Sequence, residues 1–202
     1  MNSAVIARRA LVGAALFSLV LAGPASAADS TVTTNDNSFS PSSKSVSVGD
    51  RVRWSNPTTG SNNHTSTANS GSLVTWNFTL NEGATTVTSP YKLFARVGSY
   101  GYHCAVHPTT MKGTVQVRLK STRIDANSWT IRMGTTNAPA GFVHELQRRL
   151  KGTSAWFTVA TTANATARFD APSAGTWQLR GRYKKTSGAT SGFSPTLEAV
   201  TQ

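Results

Sequence analysis

The chain has a single cysteine in 202 residues, so no intramolecular disulfide can form and no metal framework built on several cysteines is available. Acidic side chains are also scarce, 8 against 20 Lys and Arg, which gives a formal net charge of +12. Charged residues make up only 14% of the chain while 38% is hydrophobic, a globular rather than a disordered composition. There are only four histidines, so any metal centre must be assembled from a short inventory. Helix signals are nearly absent. Nucleic acid is a poor candidate partner, because no recognition motif accompanies the basic charge.

The first 27 residues differ from the rest. Arg8 and Arg9 precede the apolar run Ala10 to Ala22, followed by Pro24 and the small-residue triplet Ala25, Ser26 and Ala27. This is the three-part pattern of a secretory signal peptide, with cleavage expected between Ala27 and Ala28. The apolar core is short for a membrane span and no stop-transfer pattern follows, so the mature chain is expected to carry no transmembrane segment. Export to a secreted, periplasmic or cell-envelope location follows. Downstream, short Val, Thr, Trp and Tyr-rich runs alternate with Gly, Pro, Asn and Ser clusters, the punctuation of all-β sandwiches. Strands are expected at Ser45 to Val48, Arg51 to Trp54, Leu73 to Trp76, Ala84 to Val87, Gly98 to Tyr102 and Gly113 to Val117. A second set is expected at Trp129 to Met133, Phe142 to Leu150, Trp156 to Val159, Ala167 to Phe169 and Thr176 to Tyr183. The reading is two β-sandwiches, residues 28–119 and 120–202, joined by a short linker. The second holds 11 basic and 4 acidic residues against 7 and 4 in the first.

His64, far upstream, is followed by Cys104, His107 and Met111 in the pattern Cys-x2-His-x3-Met. A loop between adjacent strands presents the last three side chains to one point, and His64 arrives from another loop at the same end. One thiolate and two imidazoles with a weak axial thioether suit copper cycling between its two oxidation states. Zinc accepts Cys and His donors as well, but a thioether is a poor zinc ligand. Either metal accounts for a free thiol in an oxidising compartment. His103 adjoins Cys104, and strand alternation turns it to the opposite face. With His64 and His107 used, His103 and His144 are too few for a trinuclear copper cluster, so the chain is not expected to be an enzyme.

These residues carry a family resemblance. Gly49 to Asn56, Asn63 to Thr65 and Tyr102 to Val115 resemble the corresponding segments of the cupredoxins, the small blue copper proteins of the plastocyanin, amicyanin and pseudoazurin kind. The resemblance covers residues 30 to 118. It implies a Greek-key β-sandwich with one copper ion, Cu(I) or Cu(II), near one end, bound by His64, Cys104, His107 and Met111. The chain departs from the family in having three residues between His107 and Met111, where members commonly have two or four. Asn56 and Thr65 are candidates for outer hydrogen bonds that orient the ligands. Trp54 and Trp76 are expected to fill the core.

Residues 120–202 show no active site. Gly175 to Tyr183 followed by Gly192 to Pro195 resemble the last two strands of a fibronectin type III domain, which implies an immunoglobulin or fibronectin III-like sandwich used for spacing or adhesion. The alternating cations Arg180, Arg182, Lys184 and Lys185 form a basic stripe suited to anionic cell-envelope polymers. The function expected for the whole is an exported type 1 copper protein that passes single electrons to a redox partner protein by outer-sphere exchange. A copper carrier, or an envelope adhesion module with a vestigial site, are the alternatives.

Overall fold

The computed structural model describes residues 27–60, 62–85 and 88–202. The expected leader lies outside them except for Ala27, as does the end of the strand expected at Ala84 to Val87. Among the described residues there are sixteen strands and no helix.

In chain order the first nine are β1 (Asp29–Asn35), β2 (Ser38–Ser40), β3 (Ser43–Ser47), β4 (Arg51–Ser55), β5 (His64–Ala68), β6 (Asn77–Leu80), β7 (Tyr91–Leu93), β8 (Gly98–His103) and β9 (Lys112–Arg118). They form two sheets, ordered β2-β1-β4-β7 and β3-β9-β8-β5-β6. β1 runs parallel to β4 and β3 parallel to β9, and the remaining pairs are antiparallel. Alternation explains the layering. In β8 the residues alternate buried and half-buried along the strand, so Tyr100 and Tyr102 point inward and Ser99, Gly101 and His103 outward. Between the sheets Trp54 stacks on Trp76 at 5.5 Å and meets the edge of Tyr102 at 5.5 Å. Tyr102 lies across Gly113, its register partner on β9, where an added Cβ would collide with the phenol ring. Large rings fully removed from water each contribute about 1.5–3 kcal/mol, and they cluster directly beneath the end of the sandwich that carries Cys104.

The second group comprises β10 (Lys120–Arg123), β11 (Ser128–Arg132), β12 (Phe142–Leu150), β13 (Phe157–Thr162), β14 (Thr166–Asp170), β15 (Thr176–Lys185) and β16 (Leu197–Val200). Its sheets are ordered β10-β11-β14 and β13-β12-β15-β16 and enclose Trp129, Ile131, Met133, Leu146, Phe169 and Leu179. This is a second β-sandwich, and the described residues are all-β. Between β9 and β10 stands only Leu119, itself buried in the second core together with Val97. The two sandwiches also exchange backbone bonds: Val97 N donates to Met133 O at 2.9 Å, Ser99 N to Gly192 O at 2.9 Å and Thr135 N to Ala95 O at 3.0 Å.

One expected strand is absent, and of the strand expected at Ala84 to Val87 the described residues show only an isolated bridge between Ala84 and Asn56. Leu73 to Trp76 is irregular, and the strand begins only at Asn77. Ser72 Oγ donates to Val74 O at 2.7 Å, which turns the chain, while Trp76 Nε1 donates to Ser66 Oγ at 2.9 Å and anchors the ring in the core. The strand-forming residue types there serve packing rather than a ladder.

Candidate metal centre

β8 and β9 are joined by the loop Cys104 to Met111, which coils back on itself. His107 N donates to Cys104 O at 3.2 Å, Met111 N to His107 O at 3.0 Å, and Cys104 N to Met111 O at 3.0 Å. The last bond closes the loop like a clasp. Cys104 and Met111 are both completely buried, while His107 is half-buried between exposed Ala105, Val106 and Pro108. On the neighbouring strand β5, pairing with β8 is regular at Thr67 opposite His103 and Ala68 opposite Tyr102. Beyond that point the strands hold Cys104 against the start of β5, where His64 is 2% exposed.

The consequence is a cluster of three donor atoms. Cys104 Sγ lies 3.8 Å from His64 Nδ1 and 4.0 Å from His107 Nδ1, and the ligand atoms of the three residues all lie within 4.8 Å of one another. A first-row ion with bonds of about 2.3 Å to sulfur and about 2.0 Å to imidazole nitrogen separates such donors by roughly 3.8 Å when the angle between them is trigonal. The residues present therefore fit a metal ion, and the donor set of one thiolate and two imidazoles suits copper. Burial and the neighbouring His107 imidazole hold the His64 pKa below its ordinary value, with Asp36 opposing. The neutral imidazole that this favours keeps a lone pair on one ring nitrogen, as a metal ligand must.

Two hydrogen-bonding residues hold the donors in place. Thr65 N donates to Cys104 Sγ at 3.3 Å, and Thr65 Oγ1 accepts from Ala105 N at 2.7 Å. One residue thus ties β5 to both ends of the Cys104–Ala105 peptide. Asn56 is 1% exposed and its amide group donates to Asn62 O at 3.0 Å and Leu80 O at 3.2 Å. It holds the loop that leads into His64 against Leu80, the register partner of His64 on β6. Thr34 Oγ1 donates to Asn56 Oδ1 at 2.7 Å and fixes that amide. Thr34 was not foreseen from sequence, and its one signal is a polar residue at an inward-facing position of β1. His103 stands outside the cluster and bonds Asn69 Oδ1 through Nδ1 at 2.9 Å. His144 lies in the second sandwich, far along the chain, with Nδ1 3.1 Å from Asn164 O.

Residues 27–118 match the family described as copper binding proteins, plastocyanin/azurin family. Similar solved structures include an amicyanin from Paracoccus versutus, 23% identical with a TM-score of 0.37, covering 48% of this chain and 86% of that one. A Sinorhizobium pseudoazurin is 20% identical with a TM-score of 0.36, covering 45% and 73%. A cytokine receptor complex is 12% identical with a TM-score of 0.36, covering 69% and 86%. No protein of curated function matches the chain in sequence. From the family match and a donor set of matching chemistry, residues 27–118 are a cupredoxin, a copper-binding domain of the plastocyanin/azurin family.

Proposed function

We propose that this chain is an exported type 1 copper protein that transfers single electrons by outer-sphere exchange and transforms no substrate. The observation that carries the reading is the closed, pre-assembled cluster of His64, Cys104 and His107, whose donors already stand within 4.8 Å of each other. Copper bound there supplies one-electron chemistry between Cu(I) and Cu(II). His64 and His107 would hold the ion through their Nδ1 atoms and Cys104 through its thiolate, and Met111, buried in the same loop, would offer its thioether. Thr65 and Asn56 keep these donors from rearranging when the charge at the site changes, which keeps reorganisation small. Cys104, Met111 and His64 are shielded from water, and His107 alone reaches the surface, ringed by Ala105, Val106 (59% exposed) and Pro108. That apolar rim around one ligand is suited to brief contact with a redox partner protein.

The test is the visible and electron paramagnetic resonance spectrum of residues 28–202 after one equivalent of copper(II), followed by voltammetry. An intense blue thiolate-to-copper band, lost in His64→Ala and in Cys104→Ala, with a reversible one-electron wave, supports the reading. A colourless protein that prefers zinc overturns it, and rapid loss of copper to a mild chelator would favour copper carriage instead.

A further inference from the structure

A second site is suggested where the two sandwiches meet. One hollow of about 460 Å³ opens there, bordered by Arg51, Tyr91 and Leu93, and another of about 440 Å³ lies beside it on the second sandwich, bordered by Thr122, Thr130 and Thr166. Both are also lined by Lys120 and Arg132, so these two cations stand on the ridge between them.

Lys120 and Arg132 are register partners on β10 and β11, which puts their side chains on the same face of the sheet. Like charges directly opposite one another destabilise a ladder, and here they are only partly compensated. Asp50 Oδ1 lies 3.6 Å from Lys120 Nζ, but Asp50 Oδ2 already accepts from Ser47 N at 2.8 Å. The Arg132 side chain is exposed and, among the described residues, has no hydrogen bond or ion pair. Arg51 stands 3.9 Å from Asp29, whose nearer partner is Arg53 at 3.0 Å, and lies 5.0 Å over the Tyr91 ring. Around the cleft, four cations thus face two carboxylates. Tyr91 and Leu93 add exposed apolar surface at 48% and 43%.

The basic stripe on β15 contrasts with this arrangement. Arg180 gives two donors to Gln147 Oε1 and is sandwiched between Trp156 at 4.0 Å and Phe193 at 3.8 Å, while Arg182 is bonded to Glu145. Those guanidinium groups are consumed by the fold. The Lys120–Arg132 pair is available, is flanked by threonine hydroxyls, and sits in a domain-junction cleft of ligand size.

We propose that this cleft binds an extended oxyanion ligand, carrying two or more phosphate or carboxylate groups, with one group held between Lys120 and Arg132 and another at Arg51. Guanidinium binds such groups through paired hydrogen bonds, and an anion between the two opposed cations removes their repulsion. The site is independent of the metal centre.

Isothermal titration of the full chain with tripolyphosphate, citrate and inorganic phosphate tests it. Saturable one-to-one binding is expected for tripolyphosphate or citrate and weaker binding for inorganic phosphate. The stronger of the first two identifies phosphate or carboxylate as the natural group. Arg132→Gln and Lys120→Met should each weaken binding about tenfold or more, whereas Lys185→Gln, which removes an equal charge elsewhere, should leave it unchanged. If Lys120→Met lowers the melting temperature, Arg132→Gln carries the test, because its side chain has no hydrogen bond or ion pair among the described residues. Absence of saturable binding, or equal weakening by Lys185→Gln and Arg132→Gln, overturns the proposal.

Discussion

His64 and His144 are the two buried histidines of the molecule's two sandwiches, 2% and 0% exposed, and they have opposite roles. His144 sits inside strand β12, and its Nδ1 faces a carbonyl, Asn164 O, at 3.1 Å, so that nitrogen must carry the proton. His64 begins a strand, and its Nδ1 faces a sulfur at 3.8 Å, with a second imidazole nitrogen inside the same 4.8 Å cluster. Burial lowers the pKa of both, so both are neutral bases at physiological pH. What separates a ligand from a core histidine here is therefore the company of its nitrogen. A carbonyl takes the Nδ1 proton of His144 and leaves a solitary Nε2 lone pair, whereas donor atoms converging on one point call for a cation.

The largest effect should come from removing that company. Cys104→Ala leaves His64 and His107 in place but deletes the thiolate, and copper affinity should fall by at least about 100-fold, more than is usual for an outer hydrogen-bonding partner, with complete loss of the blue band. His144→Asn, which keeps a donor for Asn164 O, should change neither. A blue band that depended on His144 would break the comparison. Competitive copper titration with optical detection of both variants decides.

The second histidine should show itself through acid stability instead. Its pKa is pushed down from 6.5 to about 4, chiefly by burial and then by the charge of Arg96, while the bond to Asn164 opposes the shift. Between those values the unfolded chain binds more protons than the folded one, so stability is full above pH 6.5 and declines as the pH falls toward 4. The difference amounts to about 3 kcal/mol at most. Denaturant unfolding of the copper-free protein should show this slope, and His144→Asn should flatten it between pH 6.5 and 4. An unchanged slope would mean that other groups govern acid unfolding.

A smaller effect is expected at Thr65. Thr65→Val keeps the amide that donates to Cys104 Sγ and removes the hydroxyl that accepts from Ala105 N. Copper affinity should drop about tenfold, the lower end for an outer partner because Ala105 is exposed and its amide can turn to water. The same hydroxyl removed at Thr162 of the second sandwich should not affect copper at all.

The clustered donors His64, Cys104 and His107 were legible in the sequence as a remote histidine ahead of Cys-x2-His, a spacing that survives without the fold. Asn56 and Thr65 were legible as candidates, but their jobs depend on contacts across 24 and 40 residues that no local pattern encodes. Strands with alternating inward and outward residues, such as β9 and β15, were readable by period, whereas β12, whose Phe142 to Leu150 could also pass for a helix, was placed by its neighbours. β2 (Ser-Phe-Ser) and β5 (His-Thr-Ser-Thr-Ala) are short and polar and give no such signal. The stripe of Arg180 and Arg182 reads as free charge until Trp156 and Phe193, remote in sequence, are seen to sandwich it. Leu73 to Trp76 shows the reverse failure, a strand-like composition overridden by one buried indole.

Arg96 offers the finest adjustment of the comparison, since it is the one charged side chain that lowers the His144 pKa. It reaches from the segment between β7 and β8 into the second sandwich, donating to Thr136 O, to Thr136 Oγ1 at 3.0 Å and to Asn137 O at 3.0 Å. Gly134 makes this approach feasible, for a Cβ there would stand 2.8 Å from Arg96 Nη1 and 2.9 Å from His144 Nε2. Arg96→Gln should destabilise the chain at pH 7 by loss of those bonds, and the gap from the wild type should narrow below pH 6, because the imidazole can then be protonated at less cost. Burial is the larger cause and remains, so the narrowing should be smaller than the whole acid-dependent loss that His144 contributes. In a His144→Asn background the gap should be independent of pH. A gap that still narrows there would assign the acid sensitivity to the junction itself rather than to the buried histidine.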